Sequence, residues 1–153
     1  QRKRSKSLQS NQNPLVRVLG SKQAMVNYQA LLGRQWDYGK NDCYSLLREY
    51  YALLGIELPD FPRPESLKRT ESIFLKYARA TGFQEVAFED RERHDVLIMR
   101  LGTKTPMHAA IYVGGDKILH QRLNSVSALE PLGRYYRQSV AAVFRHAVGS
   151  VGG

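Results

Sequence analysis

An amphipathic segment at residues 43–54 limits the folds that this sequence can adopt. Its apolar residues recur at intervals of three and four, which is typical of one buried face of a helix. They are Leu46, Leu47, Tyr50, Leu53 and Leu54. Asp42 is a good N-cap, Gly55 can adopt the left-handed conformation that ends a helix, and Pro59 prevents any continuation. The sequence therefore predicts a helix whose first residue is Cys43.

Cys43 is the only cysteine in the chain. At the start of a helix, free backbone N–H groups and the helix dipole favour a thiolate, so we expect a lowered pKa and a nucleophilic side chain. A lone cysteine is more often a small buried residue, and Cys43 alone leaves both interpretations open. One cysteine excludes an intramolecular disulfide and a cysteine-rich zinc site.

Helices are predicted before strands along the chain. A short strand at 15–19 and two further helices, Lys22–Leu32 and Ser66–Thr81, are predicted in the first half, and the proline-rich segment Leu58–Pro64 is predicted to be extended. Apolar runs then predict strands at 96–99, 108–113, 117–121 and 140–146. This order predicts an α+β fold in which N-terminal helices pack on a C-terminal antiparallel meander.

Length and charge predict one folded domain with a basic extension. With 153 residues, 42% of them hydrophobic, we expect one domain at 21–146, a basic arm or linker at 1–20 and a tail at 147–153. The net charge is +9, and residues 1–22 hold six basic residues and no acidic one. Such an arm can be a solvated linker or bind an acidic partner. Basic residues are not interleaved with aromatic ones across a folded face, which does not favour nucleic acid as a partner.

Targeting and membrane segments are not predicted. The apolar runs are too short to span a membrane, and no segment of the given sequence is predicted to be a secretory signal. Because the chain begins with Gln1 and not with methionine, we expect it to be a processed product or part of a longer protein.

A cysteine nucleophile needs a base, and histidine is the usual one near neutral pH. The chain has four histidines, of which we expect His94 and His146 to be structural. His108 opens one predicted strand and His120 lies in the next. A zinc site is the rival use of this pair, but no third ligand has zinc-like spacing.

The hairpin between these strands decides whether the two histidines share a face. If residues 114–116 form a three-residue loop, Val113 faces Lys117 and His120 lies opposite Ala110. His120 is then diagonal to His108 and within side-chain reach of it. A two-residue loop is expected to shift the register by one and separate the histidines.

Together, these elements resemble the NlpC/p60 family of papain-like cysteine peptidases over about residues 21–146. The segment Asp42-Cys43-Tyr44-Ser45 is similar to the Asp-Cys-(Ser/Gly) element of the family, and the segment 108–114 to its histidine-led strand. The third polar residue of the family falls on His120, and its aromatic–glycine segment on residues 36–39. The chain differs at residue 94, where a histidine stands in place of the usual glycine.

This resemblance implies a papain-like NlpC/p60 fold and a site without metal or cofactor. Cys43 would be the nucleophile, His108 the base and His120 the residue that orients His108. The oxyanion- and substrate-binding residues would be Asp42, Tyr38 and Trp36.

A narrower resemblance is to the NlpC/p60 domains of tail-tip and tail-assembly proteins of long-tailed phages. It rests on the segments Leu58–Pro64 and Glu130–Arg137. It implies a peptidase of the virion tail tip that is assembled in the host cytoplasm, reaches the cell envelope during infection and cleaves peptidoglycan stem peptides, with other tail-tip proteins as partners. The alternative is a structural tail-tip component that keeps the fold with little or latent activity.

Overall fold

A computed structural model describes residues 25–61, 63 and 73–147 of the chain. The predicted α+β class is confirmed: helices pack on one six-stranded antiparallel sheet with the order β1-β6-β2-β3-β4-β5. The strands are β1 (Phe83–Val86), β2 (Val96–Met99), β3 (His108–Gly114), β4 (Lys117–His120), β5 (Ala128–Pro131) and β6 (Val140–His146). The helices are α1 (Cys43–Leu53), α2 (Ile73–Tyr77) and α3 (Arg134–Ser139), with 3-10 turns at Gln29–Leu31, Arg79–Thr81 and Phe88–Asp90.

The sheet is not the simple meander that the sequence predicted. Strands β2 to β5 follow one another as neighbours, but β6 lies between β1 and β2. Val143 and Phe144 of β6 are both buried, and because successive side chains of a strand point to opposite faces, this strand has a core on both faces. Strands β1 and β5 and helix α3 were not predicted.

Helix α1 begins at Cys43, as predicted. Gly55 follows it with a φ of 81°. The buried face differs from the prediction: Leu53 is 48% exposed, whereas Tyr44 and Tyr51 are buried. The Tyr51 hydroxyl donates to the backbone oxygen of His94 at 2.5 Å, which turns this side of the helix toward the sheet.

The predicted helix at 22–32 is wrong in its described part. Residues 25–28 are irregular and only Gln29–Leu31 forms a 3-10 turn. Backbone groups here bond to a distant residue instead of a helical ladder: Ser127 donates its hydroxyl to the Leu31 oxygen and accepts from the Arg34 N–H at 2.9 Å.

Several other predictions lie partly or wholly outside the described residues. The predicted helix at 66–81 is present as α2 and the 3-10 turn Arg79–Thr81, which ends at Gly82 with a φ of 95°. Residues 66–72 of that helix, the strand at 15–19, the arm at 1–20 and residues 148–153 of the tail lie outside the described residues. Within the described ranges, no helix has the length and apolar character needed to cross a membrane.

The sheet has an apolar core on each face. Helix α1 packs over β3, where the small side chain of Ala109 is buried beneath it. The other face packs around Leu97, Tyr112 and Leu132. The histidines expected to be structural are both buried: Nδ1 of His94 lies 2.7 Å from the Tyr50 hydroxyl, and the ring of His146 packs against those of Tyr51 and Phe83.

Candidate active site

The turn before α1 is held together by the buried carboxylate of Asp42. Its Oδ1 accepts from the backbone N–H of Ser45 at 2.9 Å, and its Oδ2 accepts from that of Gly39 at 2.8 Å. Arg63 adds two bonds, from Nε to Oδ2 at 2.7 Å and from Nη2 to Oδ1 at 3.1 Å. Burial raises the pKa of Asp42, but these hydrogen bonds outweigh it and hold the pKa below its ordinary value. Asp42 is therefore an ionised anchor that places Cys43.

Cys43 lies against the beginning of β3. Its Sγ is 3.7 Å from the backbone oxygen of Met107, and the backbone N–H of Ala109 also points to the sulfur. Burial raises the pKa of the thiol to about 11, and Asp42 adds to this effect while the Ala109 N–H opposes it. The lowered pKa that the sequence predicted is not found, because desolvation outweighs the helix N-terminus.

His108 and His120 share one face of the sheet, as the predicted register requires. Ala110 lies opposite His120, Ile111 opposite Leu119, and Tyr112 opposite Ile118. The two rings form an edge-to-face pair with centroids 5.0 Å apart.

The turn itself differs from the prediction. Lys117 pairs with Gly114 and not with Val113, so the loop has two residues, Gly115 and Asp116. Both have positive φ, 60° and 56°, as a type I′ turn requires. The register shifts between Tyr112 and Gly114, and this bulge absorbs the extra residue. The expectation that a two-residue loop would separate the histidines was wrong because it ignored bulges.

A chain of close polar contacts extends away from His108. Its Nε2 is 2.9 Å from Nδ1 of His120, and Nε2 of His120 is 2.8 Å from Oε2 of Glu130. The other Glu130 oxygen accepts from the Tyr136 hydroxyl at 3.0 Å. Sequence reasoning gave Glu130 and Tyr136 no role, since β5 and α3 were not predicted. One sequence signal could have identified Glu130: it is a carboxylate in a short segment that follows a polar turn, two residues after the start of β5.

Burial has the largest effect on the pKa values of His108, His120 and Glu130. It lowers the pKa of His108 to about 3, with His120 and Arg122 adding to the effect. It also lowers the pKa of His120, although Glu130 opposes the change. For Glu130 itself, burial raises the pKa, but hydrogen bonds from His120 and Tyr136 outweigh it and the net shift is downward. Near neutral pH both imidazoles are therefore neutral and the carboxylate is ionised.

Cys43 and His108 line one cavity of about 340 Å³. Trp36 and Tyr38 form one wall, with their rings stacked at a centroid distance of 5.8 Å. The lining also includes Leu101, Leu123 and Tyr135. The cavity thus contains the predicted nucleophile, base and aromatic residues, and His120 lies behind His108. Among the described residues, no group of three or more His, Cys, Asp or Glu side chains could hold a metal ion.

Comparison with known proteins identifies the family. Residues 33–145 match the model of the NlpC/P60 family. The chain belongs to the NlpC/P60 family. Over 117 residues it is 35% identical to tail tip assembly protein K of Escherichia phage lambda. The aligned region covers 76% of this chain and 59% of the length of that protein. The family predicted from the sequence is confirmed.

Solved NlpC/P60 structures share this fold. A Staphylococcus aureus protein described as similar to a lipoprotein of the NLP/P60 family has a TM-score of 0.58 and 19% identity, over 89% of this chain and 42% of that one. RipD of Mycobacterium tuberculosis, described as a non-catalytic NlpC/p60 domain protein adapted to peptidoglycan binding, has a TM-score of 0.52 and 15% identity, over 90% and 99% of the two chains. At these identities the likeness concerns the fold alone.

Proposed function

We propose that this protein is a cysteine peptidase of a phage tail tip that cleaves stem-peptide bonds of bacterial peptidoglycan. The observation that carries the proposal is that Cys43 and His108 line one cavity while His120 lies within hydrogen-bonding distance of His108. Membership of the NlpC/P60 family and the likeness to the phage lambda protein support the substrate and the setting. The proposal includes a peptidase domain at 21–146, a basic arm at 1–20, a tail at 147–153 and other tail-tip proteins as partners.

The chemistry begins from a neutral pair, since the thiol and the imidazole are both uncharged near neutral pH. As Sγ of Cys43 attacks the peptide carbonyl carbon, the thiol proton passes to Nδ1 of His108, because Nε2 is occupied by His120. The tetrahedral intermediate collapses, the C–N bond breaks, and His108 gives its proton to the leaving amine. Water then hydrolyses the thioester, and the thiol and neutral imidazole are restored.

The developing oxyanion needs donors near the sulfur. The backbone N–H of Cys43, at the first position of α1, is one donor. The Tyr38 hydroxyl is proposed as a second donor, because it lines the same cavity as Cys43 and is protonated near neutral pH. The ionised carboxylate of Asp42 can only accept hydrogen bonds, so its part is to hold the turn. Trp36 and Tyr38 offer a stacked surface for the substrate.

The direct test is incubation of purified peptidoglycan with the wild type and with Cys43→Ala, followed by mass spectrometry of the released fragments. We expect new amino termini from the wild type and a loss of several orders of magnitude in rate for the variant. Cys43→Ser, which nearly conserves side-chain volume, is the control for packing at this site. Release by Cys43→Ala at the rate of the wild type would refute the mechanism.

A second candidate is a structural or peptidoglycan-binding tail-tip component with little activity. It is favoured by the thiol of Cys43, which is partly buried, whose pKa is raised to about 11, and whose Sγ donates to the backbone oxygen of Met107. The non-catalytic description of RipD shows that this fold also serves without cleavage. Binding to insoluble peptidoglycan without release of fragments would support this candidate, and release that depends on Cys43 would exclude it.

The pH dependence of alkylation tests the state of the thiol. With a pKa of about 11, the rate of iodoacetamide reaction with Cys43 should rise about tenfold per unit between pH 7 and 10, because only the thiolate reacts. A rate that levels off below pH 8 would mean a resting thiolate and would contradict the neutral pair.

A further inference from the structure

A carboxylate lies behind the proposed base, two strands away from it. His120 on β4 is opposite Ala110, and Glu130 on β5 is opposite Ile118. Each side chain is therefore diagonal to the next, which is the spacing that lets long side chains on one face of a sheet touch. The contacts are 2.9 Å from His108 to His120 and 2.8 Å from His120 to Glu130.

The protons available to these groups determine which atom donates in each hydrogen bond between His108, His120 and Glu130. An ionised carboxylate only accepts, and Oε1 of Glu130 already accepts from the Tyr136 hydroxyl. Oε2 must therefore accept the proton on Nε2 of His120. A neutral imidazole carries one N–H, so Nδ1 of His120 is an acceptor. The short contact with His108 must then be donated by Nε2–H of His108, which leaves Nδ1 of His108 without a proton.

We propose that Glu130 is a positioning residue that sets the tautomers of His120 and His108, so that Nδ1 of His108 is free to accept a proton. The role of Glu130 in catalysis rests on the function proposed above. When His108 takes the thiol proton, its Nε2–H still donates to His120, and the negative charge of Glu130 stabilises the imidazolium through His120. No proton moves to Glu130 in this step.

The neighbours of Glu130 do not supply an equivalent constraint. Arg122 lies 3.5 Å from Oε2, but its side chain is 47% exposed, so solvent screens its charge. Tyr136 bonds the other oxygen and orients the carboxylate. Without the carboxylate, the chain of bonds can reverse: Nδ1–H of His120 then donates to His108, and His108 carries its proton on Nδ1, where it cannot receive one from the thiol.

Nitrogen-15 spectra of the histidine rings test the tautomers directly. Long-range proton–nitrogen correlations distinguish protonated from unprotonated ring nitrogens, and single variants of His108 and His120 assign the signals. In the wild type near pH 7 we expect both rings protonated at Nε2 only. In Glu130→Ala we expect a second form of each ring, protonated at Nδ1. Glu85→Gln, an exposed carboxylate change on β1, is the control and should leave the spectra unchanged.

Two outcomes of these spectra would overturn the proposal: a wild-type ring protonated at Nδ1, or unchanged tautomers in Glu130→Ala. If Glu130→Ala does not fold, Glu130→Gln keeps the shape of the side chain, and its amide can donate as well as accept, so mixed tautomers are again expected. The spectra need no substrate. They therefore decide the tautomer assignment even if the wild type cleaves nothing, and a failed peptidase proposal remains distinguishable from a failed role for Glu130.

If the wild type cleaves peptidoglycan, steady-state kinetics test the contribution of Glu130 to catalysis. We expect Glu130→Gln to lower kcat by about ten- to a hundredfold with little change in KM, because Glu130 acts through His120 and does not touch the substrate. Glu130→Asp, which restores the charge, should recover part of the loss. An unchanged kcat in Glu130→Gln, beside an inactive Cys43→Ala, would overturn the catalytic role.

Discussion

Arg63 is predicted to be the main stabilising partner of the turn that carries Cys43. Asp42 is 4% exposed, and the side chain of Arg63 is 10% exposed, so both charges are largely desolvated. Arg63→Ala removes two hydrogen bonds from the carboxylate and leaves it buried with only the backbone N–H groups of Ser45 and Gly39. The variant also loses the bond from Arg63 to the Ser45 hydroxyl at 2.9 Å.

The size of the effect follows from the burial. Breaking a buried ion pair by removing one partner costs about 3–5 kcal/mol. Because Asp42 keeps two hydrogen bonds, we expect Arg63→Ala to lower the free energy of unfolding by about 2–4 kcal/mol. For a domain of this size the melting temperature should fall by about 5–15 °C.

The effect depends on pH in a defined direction. The pKa of Asp42 is lowered in the folded protein, so its contribution to stability is present above the unfolded value of about 3.8 and is lost as pH falls through the folded pKa. In Arg63→Ala, burial remains while the strongest stabilising partner is gone, so the pKa of Asp42 should rise. The difference in stability between the two proteins should be largest near pH 7 and shrink below about pH 4.

Urea unfolding at several pH values measures these differences. The control is Arg100→Ala, which removes an exposed arginine whose Nε donates to the backbone oxygen of Lys104, and we expect a change below about 0.5 kcal/mol. Asp42→Asn added to Arg63→Ala should recover part of the lost stability, because the amide still caps α1 and no unpaired charge remains. A loss for Arg63→Ala no larger than that for Arg100→Ala would refute the reasoning.

Two further substitutions test the core. Tyr50→Phe leaves the buried Nδ1 of His94 without its hydroxyl partner and should cost about 1–3 kcal/mol in urea unfolding; an unchanged stability would mean that water replaces the bond. Gly82→Ala adds a methyl group 2.7 Å from Nε2 of His146 at a φ of 95°. Gly33→Ala adds one at a φ of 76°, where, apart from the adjacent residues, no atom of the described part of the chain lies within 4 Å. Gly82→Ala should therefore lower the melting temperature more, and equal losses would contradict a role for the His146 contact.

The start of α1 was predictable because its signals are local. The capping residue, the apolar spacing and the glycine that follows lie within one short segment, so Cys43 could be placed at the first helical position. A common face for His108 and His120 was predicted for one of two possible registers, the one in which Ala110 lies opposite His120, and the structure has this register. The length of the loop was not predictable, because a bulge at Val113 places one extra residue in β3 and leaves two residues in the turn.

The sequence by itself thus determined the α+β class and the position of Cys43 at the start of a helix. For the histidine pair it left two registers open, and the bulge in β3 decided between them. Tertiary structure decided the order of the sheet, where β6 enters between β1 and β2. It also brought Glu130 to His120, a contact between strands that no local pattern contains. Finally, it decided the charge state of Cys43, because a pKa depends on what surrounds a group in space: the helix start favours a thiolate, and burial against β3 outweighs it.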